Sequence, residues 1–215
     1  GMEITKTVYF VRHGESVEKP ERVHQNLDAV LSDNGIKQAE LLAKQMAGLP
    51  IGIIFSSPLQ RARQTAEIIN HVLQKPIEFS DLLVETRKPS ELIGKEKEGV
   101  EAKAILAQFD LHGHEEDWKY SDEESFSERK QRAARTIELI TCGEHAQVLV
   151  VAHGEIIRFI LAYMLFGKEM TPAEAYRFVF FMRADNTGVA TCHLWGQDSW
   201  SLAGWNDLSH LNGRG

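Results

Sequence analysis

The sequence predicts a three-layer α/β/α sandwich, in which helices cover both faces of a mostly parallel central sheet and a helical cap is inserted between Arg87 and Ser127. Three observations carry this prediction. Short apolar runs alternate with longer segments whose apolar residues recur at helical spacing, the mark of strand–helix–strand units. Two of the runs, Val8-Tyr9-Phe10-Val11 and Val148-Leu149-Val150-Val151-Ala152, are apolar throughout, as in strands buried on both faces. Both stop at a His-Gly pair, His13-Gly14 and His153-Gly154. Glycine there permits a sharp turn or a close approach, and ligands of open α/β sheets collect beyond the carboxyl ends of strands.

The elements follow in order. After the first strand and a polar loop, Ser32-Asp33-Asn34-Gly35 signals a helix start, and Ile36, Ala39, Leu42, Ala43 and Met46 keep helical spacing. Ile51 to Phe55 reads as a second buried strand. It ends at Ser56-Ser57-Pro58, where proline suits a first helical turn. The next helix carries Leu59, Ala62, Ala66, Ile69 and Leu73 on one face, with Arg61 near its start. Pro76 to Leu83 suggests another strand, closing at Glu85. From Arg87 to Ser127 the pattern loosens and becomes charged, as in Lys95-Glu96-Lys97-Glu98 and His112-Gly113-His114-Glu115-Glu116-Asp117, which predicts a cap or lid. A helix from Ser125 to Cys142 precedes the strand that delivers His153. A further helix follows Gly154, and closing strands are expected at Phe178–Arg183 and Gly188–Trp195. No repeat or linker breaks the chain, so residues 1–215 read as one domain.

Composition narrows the function. A chain of 215 residues that is 43% hydrophobic can bury a sizeable core. A net charge of -7 argues against non-specific nucleic-acid binding, although clustered arginines can still make one pocket attract anions. The longest apolar stretch, Ile156 to Phe166, is short and contains Arg158, so no membrane partner is expected. The first strand begins too near the start to leave room for a signal peptide. Cys142 and Cys192 are too few for a disulfide framework and predict free thiols in a reducing cytoplasm. Nothing in the sequence sets the oligomeric state.

The strand-to-helix corners hold Arg12-His13, Arg61, Glu85 and His153. Arginine offers a planar fork of donors that grips phosphate oxygens and keeps its charge. Helix N-termini at the same corners add N–H groups and a favourable dipole. A neutral imidazole can accept a phosphoryl group covalently, and a carboxyl group can supply the proton that the leaving oxygen needs.

Arg12-His13-Gly14-Glu15-Ser16 resembles the signature of the histidine phosphatase superfamily, also called the phosphoglycerate-mutase-like family. Ser32 to Ala39, Phe55 to Ala66 and Val151 to Arg158 are similar to three further motifs of that family in the same order, and Trp200 to Leu211 resembles its tail. The resemblance implies a phosphoglycerate mutase-like fold and a phosphomonoesterase acting without metal or cofactor. It makes His13 the nucleophile, Arg12, Arg61 and His153 the phosphoryl-binding groups, and Glu85 the proton donor. The substrate would be a small phosphorylated molecule. A bisphosphate-dependent mutase and a catalytically weak phospho-ligand sensor are the other readings it allows. The chain departs from the family at Val17-Glu18-Lys19-Pro20, where many members place an Asn, and at Thr86 to Gly94, where a Gly-x-Trp-Glu-Gly-like stretch is usual. Glu15 and Glu155 are expected to orient loops or histidines, and Arg63 and Arg158 to be solvated or salt-bridged. His112 and His114 match no metal spacing, and Trp118 and Tyr120 are expected to pack or to cover the pocket.

Overall fold

A computed structural model describes residues 1–212. At its centre lies β1 (Ile4–Arg12), paired in parallel with β4 (Gln147–Ala152) and antiparallel with β5 (Val189–Trp195). On the far side of β4, β2 (Ile53–Ser56) pairs in parallel with β4 and with β3 (Ile77–Phe79). On the other side, β6 (Ser199–Asp207) pairs antiparallel with β5. The order is β3-β2-β4-β1-β5-β6, so the sheet is mixed: four parallel strands and an antiparallel margin.

Crossover handedness assigns the helices to faces. The chain steps from β1 to β2 to β3 in one direction, so right-handed crossovers put α1 (Asp33–Met46) and α2 (Gln60–Leu73) on the same face. It then steps back from β3 to the parallel β4, which puts α4 (Phe126–Thr141) on the opposite face, and α5 (Gly154–Phe166) packs beside α4 in the same layer. Strand alternation fills both layers. Val8, Phe10, Val148 and Val150 pack with α4 and α5, and Val11, Leu149 and Val151 with α1 and α2. Each fully buried side chain of this kind contributes about 1.5–3 kcal/mol from leaving water.

Two strand expectations are corrected. Phe178–Arg183 is not a closing strand, because Phe178 to Phe181 end α6 (Pro172–Phe181). Thr171 and Glu174 form a capping box ahead of Pro172, and Ala175 and Val179, one turn apart, bury against α5. The last strand is β6, which the sequence hides: Ser199 to Asp207 shows only weak alternation and is interrupted by Gly204. The strand expected from Pro76 to Leu83 shrinks to Ile77–Phe79, since Ser80 accepts the Leu82 N–H and turns the chain into a 3₁₀ helix over Asp81–Leu83.

The segment from Arg87 to Ser127 contains a 3₁₀ turn (Ser90–Leu92) and α3 (Val100–His112) around a small cluster of Leu92, Ala102 and Ile105. Trp118 packs edge-on to Phe109 and stacks on His112, while Tyr120 leans on the same small cluster, so both aromatics pack. Cys142 is exposed and Cys192 buried, and both are free. Among the described residues, no helix is long and apolar enough to cross a membrane.

Candidate active site

Strand register brings the two histidines together. Arg12 pairs with Ala152 in the parallel β1–β4 ladder, so His13 and His153 leave the sheet at the same level. Their ring centroids lie 5.1 Å apart, edge to face. Neighbouring β2 ends at the same edge, and Ser57, just beyond it, places its hydroxyl 2.8 Å from His153 Nε2.

His13 is 2% exposed and held from several sides. Its Nδ1 donates to the Gly14 carbonyl at 2.7 Å, which assigns the ring proton to Nδ1. Nε2 therefore accepts, and Arg61 Nε donates to it at 3.3 Å. Asn186 Nδ2 donates to the His13 carbonyl at 3.0 Å. The Gly14 N–H donates to Thr65 Oγ1, which itself donates to the Arg61 carbonyl at 2.7 Å, so one hydroxyl ties both corners together. Gly14 serves close approach: a Cβ there would sit 2.6 Å from the Gly35 carbonyl oxygen at the start of α1. Burial, then the neighbouring charges of Arg61 and Arg12, hold the His13 imidazole well below the ordinary histidine value.

His153, fully buried, stands at the N-cap of α5 and is likewise held well below the ordinary histidine value by burial, His13 and the same two guanidiniums. His153 Nε2 and the Ser57 hydroxyl share this hydrogen bond, and Nδ1 has no partner among the described residues. Arg12 Nη1 donates to the Ala184 carbonyl at 2.6 Å, whereas its buried Nε is likewise unpartnered. Gly154 leaves room for it, since a Cβ there would meet Arg12 Cδ at 3.3 Å. Arg61 is 3% exposed and adds Nη1 to the Asn26 carbonyl.

Glu85 sits against the N-terminus of α5. Its Oε1 accepts the N–H groups of Thr86 and Ile156, both at 2.9 Å, and its Oε2 accepts that of Glu155 at 3.2 Å. Thus all five residues singled out in the sequence meet at one sheet edge. Arg12, His13, Arg61 and Glu85 open onto a cavity of about 1000 Å³, and the His153 ring lies against that of His13. The arrangement offers an unprotonated ring nitrogen beside the Arg61 guanidinium and in the field of Arg12, with a carboxyl group in the same wall.

Sequence reasoning singled out Glu155 as an orienting residue but missed its partners Lys88 and Arg129, and it missed the pair Arg132 and Glu124. Glu155 forms an ion pair with Lys88 at 2.7 Å and lies 4.0 Å from Arg129. Burial opposes its charge, but those two cations hold its carboxyl down at about 2. Arg132 grips Glu124 through Nε and Nη2 and donates Nη1 to the Leu82 and Val84 carbonyls, immediately before Glu85. Both are polar positions near an amphipathic helix, and only their place in space distinguishes them. Arg158, half-buried and without a salt bridge among the described residues, donates to the carbonyls of Gly154, Val179 and Met182, bracing α5 against α6. Arg63 is paired with Glu67 as expected, and Glu15 accepts from Ser32 and Asn34, fixing the loop into α1.

The profile of the histidine phosphatase superfamily (branch 1) matches residues 8–208. The chain is 27% identical to phosphoglycerate mutase-like protein 4 of Arabidopsis thaliana, over 97% of this chain and 88% of that one. It is 26% identical to a mutant phosphoserine phosphatase of Entamoeba histolytica solved with phosphoserine, with a TM-score of 0.77 over 96% and 99% of the two chains. The fold also matches that of YhfR from Bacillus stearothermophilus, with a TM-score of 0.81 at 23% identity over 96% and 99% of the chains. The chain belongs to branch 1 of the histidine phosphatase superfamily.

Proposed function

We propose that the protein is a metal-independent phosphomonoesterase that hydrolyses a small phosphorylated molecule through a phosphohistidine at His13. The observation that carries this reading is the state of His13: a buried, neutral imidazole with its proton fixed on Nδ1 and its bare Nε2 beside Arg61. The unpartnered Nε of Arg12, and Nδ1 of His153 when it carries the ring proton, supply donors for the oxygens of a phosphoryl group at that nitrogen.

His13 Nε2 attacks phosphorus in line with the leaving oxygen. The phosphorus–oxygen bond breaks as the phosphorus–nitrogen bond forms, and the leaving alkoxide takes a proton from Glu85 Oε2, which accepts a single N–H and keeps a free lone pair to carry that proton. Water then attacks the phosphohistidine and gives a proton back to Glu85, and inorganic phosphate departs as the bond to His13 breaks. The guanidiniums bear the charge through both steps. Residues 87–127 act as a lid over the leaving group, in keeping with Arg87, Lys88 and Lys119 in the cavity wall.

An aryl phosphate in the presence of chelator tests this directly. Wild type turns it over, and acid-labile phosphoprotein can be trapped at early times. His13→Ala abolishes the trapped species and lowers kcat by about 10³-fold or more. Turnover by His13→Ala near the wild-type rate would refute the proposal. The mutase-like name of the Arabidopsis relative favours a second reading, in which a stable phosphoenzyme passes its phosphoryl group to a sugar acid and needs a bisphosphate primer.

A further inference from the structure

The cavity is far larger than a phosphoryl group needs, its volume of about 1000 Å³ lying at the upper end for small-molecule sites. Away from the histidines its wall is built where two loops are laced together. Val23 and Glu96 form an antiparallel bridge; the His24 N–H donates to the Lys95 carbonyl, Gly94 N–H to the His24 carbonyl, and Lys97 N–H to the Arg22 carbonyl. Alternation across that bridge puts the side chains of His24 and Lys97 on one face, and both line the cavity.

His24 is only 7% exposed, yet neither ring nitrogen has a partner among the described residues. A buried imidazole with both nitrogens free is costly unless something polar comes to it. Lys97 is half-buried, and no carboxylate lies within ion-pair distance of its ammonium among the described residues. Lys88, close enough that its charge is felt at both His24 and Lys97, gives one of three N–H donors to Glu155. Carboxylates in the same wall do not cancel this excess: Glu124 and Glu128 are tied to Arg132 and Lys119, Glu155 is shared by Lys88 and Arg129, and the wall's eight arginines and lysines outnumber its six carboxylates, Asp81, Glu85 and Asp122 included.

We propose that His24, Lys97 and Lys88 form a subsite for a second anionic group, carried on the leaving half of the phosphomonoester. The proposal rests on the function inferred above and narrows its substrate class: a phosphorylated small molecule bearing a carboxylate or a second phosphate. His24 donates one N–H, and the two ammonium groups supply the charge.

Non-hydrolysable phosphonates of equal chain length separate the possibilities: butylphosphonate, 4-phosphonobutanoate and butane-1,4-bisphosphonate, titrated by calorimetry. Wild type binds one of the two anionic-tailed probes at least about tenfold more tightly than butylphosphonate, the worth of a charge-assisted hydrogen bond. Which probe wins identifies carboxylate or phosphate. Lys97→Met and, as an independent variant, His24→Leu each reduce that ratio several-fold, and Lys97→Glu brings it to one or below, an inversion that loosened packing would not produce. Equal binding of all three probes by wild type, or an unchanged ratio in Lys97→Glu, overturns the subsite. Aryl phosphate turnover without tail preference defeats the subsite alone. Tail preference without turnover or trapped phosphohistidine defeats the phosphatase alone.

Discussion

His13 and His153 are neutral because burial and the guanidiniums of Arg61 and Arg12 both resist a second ring proton. For catalysis this means that Nε2 of His13 stays bare at pH values where a free imidazole would be charged. The acid limb of activity is therefore expected below the ordinary value of 6.5, read from kcat/KM of the free enzyme. Stability has the matching sign. Below 6.5 the unfolded chain binds protons at these residues that the native state refuses, so stability falls as pH drops. The slope is about 1.4 kcal/mol per pH unit for each histidine until its native value is reached. Urea midpoints at two pH values, one above and one well below 6.5, check this against His153→Gln, which is expected to lose less stability on acidification. Equal losses in the two proteins would mean that His153 is charged in the native state. Every one of these residues was visible in the sequence, because each closes or follows an apolar run. Their protonation was not, since it depends on burial and on charges brought from other corners.

One element positions another through the Arg132–Glu124 pair, whose side chains are 12% and 11% exposed. Arg132 on α4 holds the Leu82 and Val84 carbonyls, and with them the approach of the chain to Glu85. Arg132→Met leaves Glu124 buried without its partner and costs about 3 kcal/mol of stability, measurable as a lower Tm. The double change Arg132→Met with Glu124→Leu restores most of that stability. It does not restore kcat, which stays about 10-fold or more below wild type because Glu85 has lost its clamp. Full recovery of kcat would reduce the pair to a stabilising role. The same helix was legible: its observed ends lie within a residue of the expected Ser125 and Cys142, and a capping box of Ser125 and Glu128 fixes its start. Helix α6 was not. Its aromatic run of Phe178, Phe180 and Phe181 has a strand-like composition, while the helix is decided by its cap and by two small residues facing α5. Phe180 and Phe181 are 71% and 85% exposed, so the apolar residues that misled the pattern contribute little to the core.

The whole molecule hangs on β1, the strand that carries both apolar layers and meets a parallel partner on one side and an antiparallel one on the other. Phe10, fully buried between them, is its largest side chain in the α4–α5 layer. Phe10→Ala is expected to cost about 3–5 kcal/mol by leaving a cavity, seen as a lower denaturant midpoint. A loss under about 1 kcal/mol would mean that the layer repacks freely. Alternation of strands and helices announced the three layers, and two His-Gly stops announced the working edge. The antiparallel margin was half hidden, because β6 is a partly exposed edge strand and carries no apolar face that periodicity could detect.

The Arg12–Ala152 register has a further consequence in time. Its two strands pair residues 140 positions apart in the chain, with β2 and β3 formed by residues in between. No early hairpin or single helix can therefore bring the two imidazoles into contact. They meet when β4 slots between β1 and β2, a contact of long sequence separation that contributes to slow folding. During refolding, recovery of catalytic competence therefore reports closure of the central sheet, and helix content is expected to return before it.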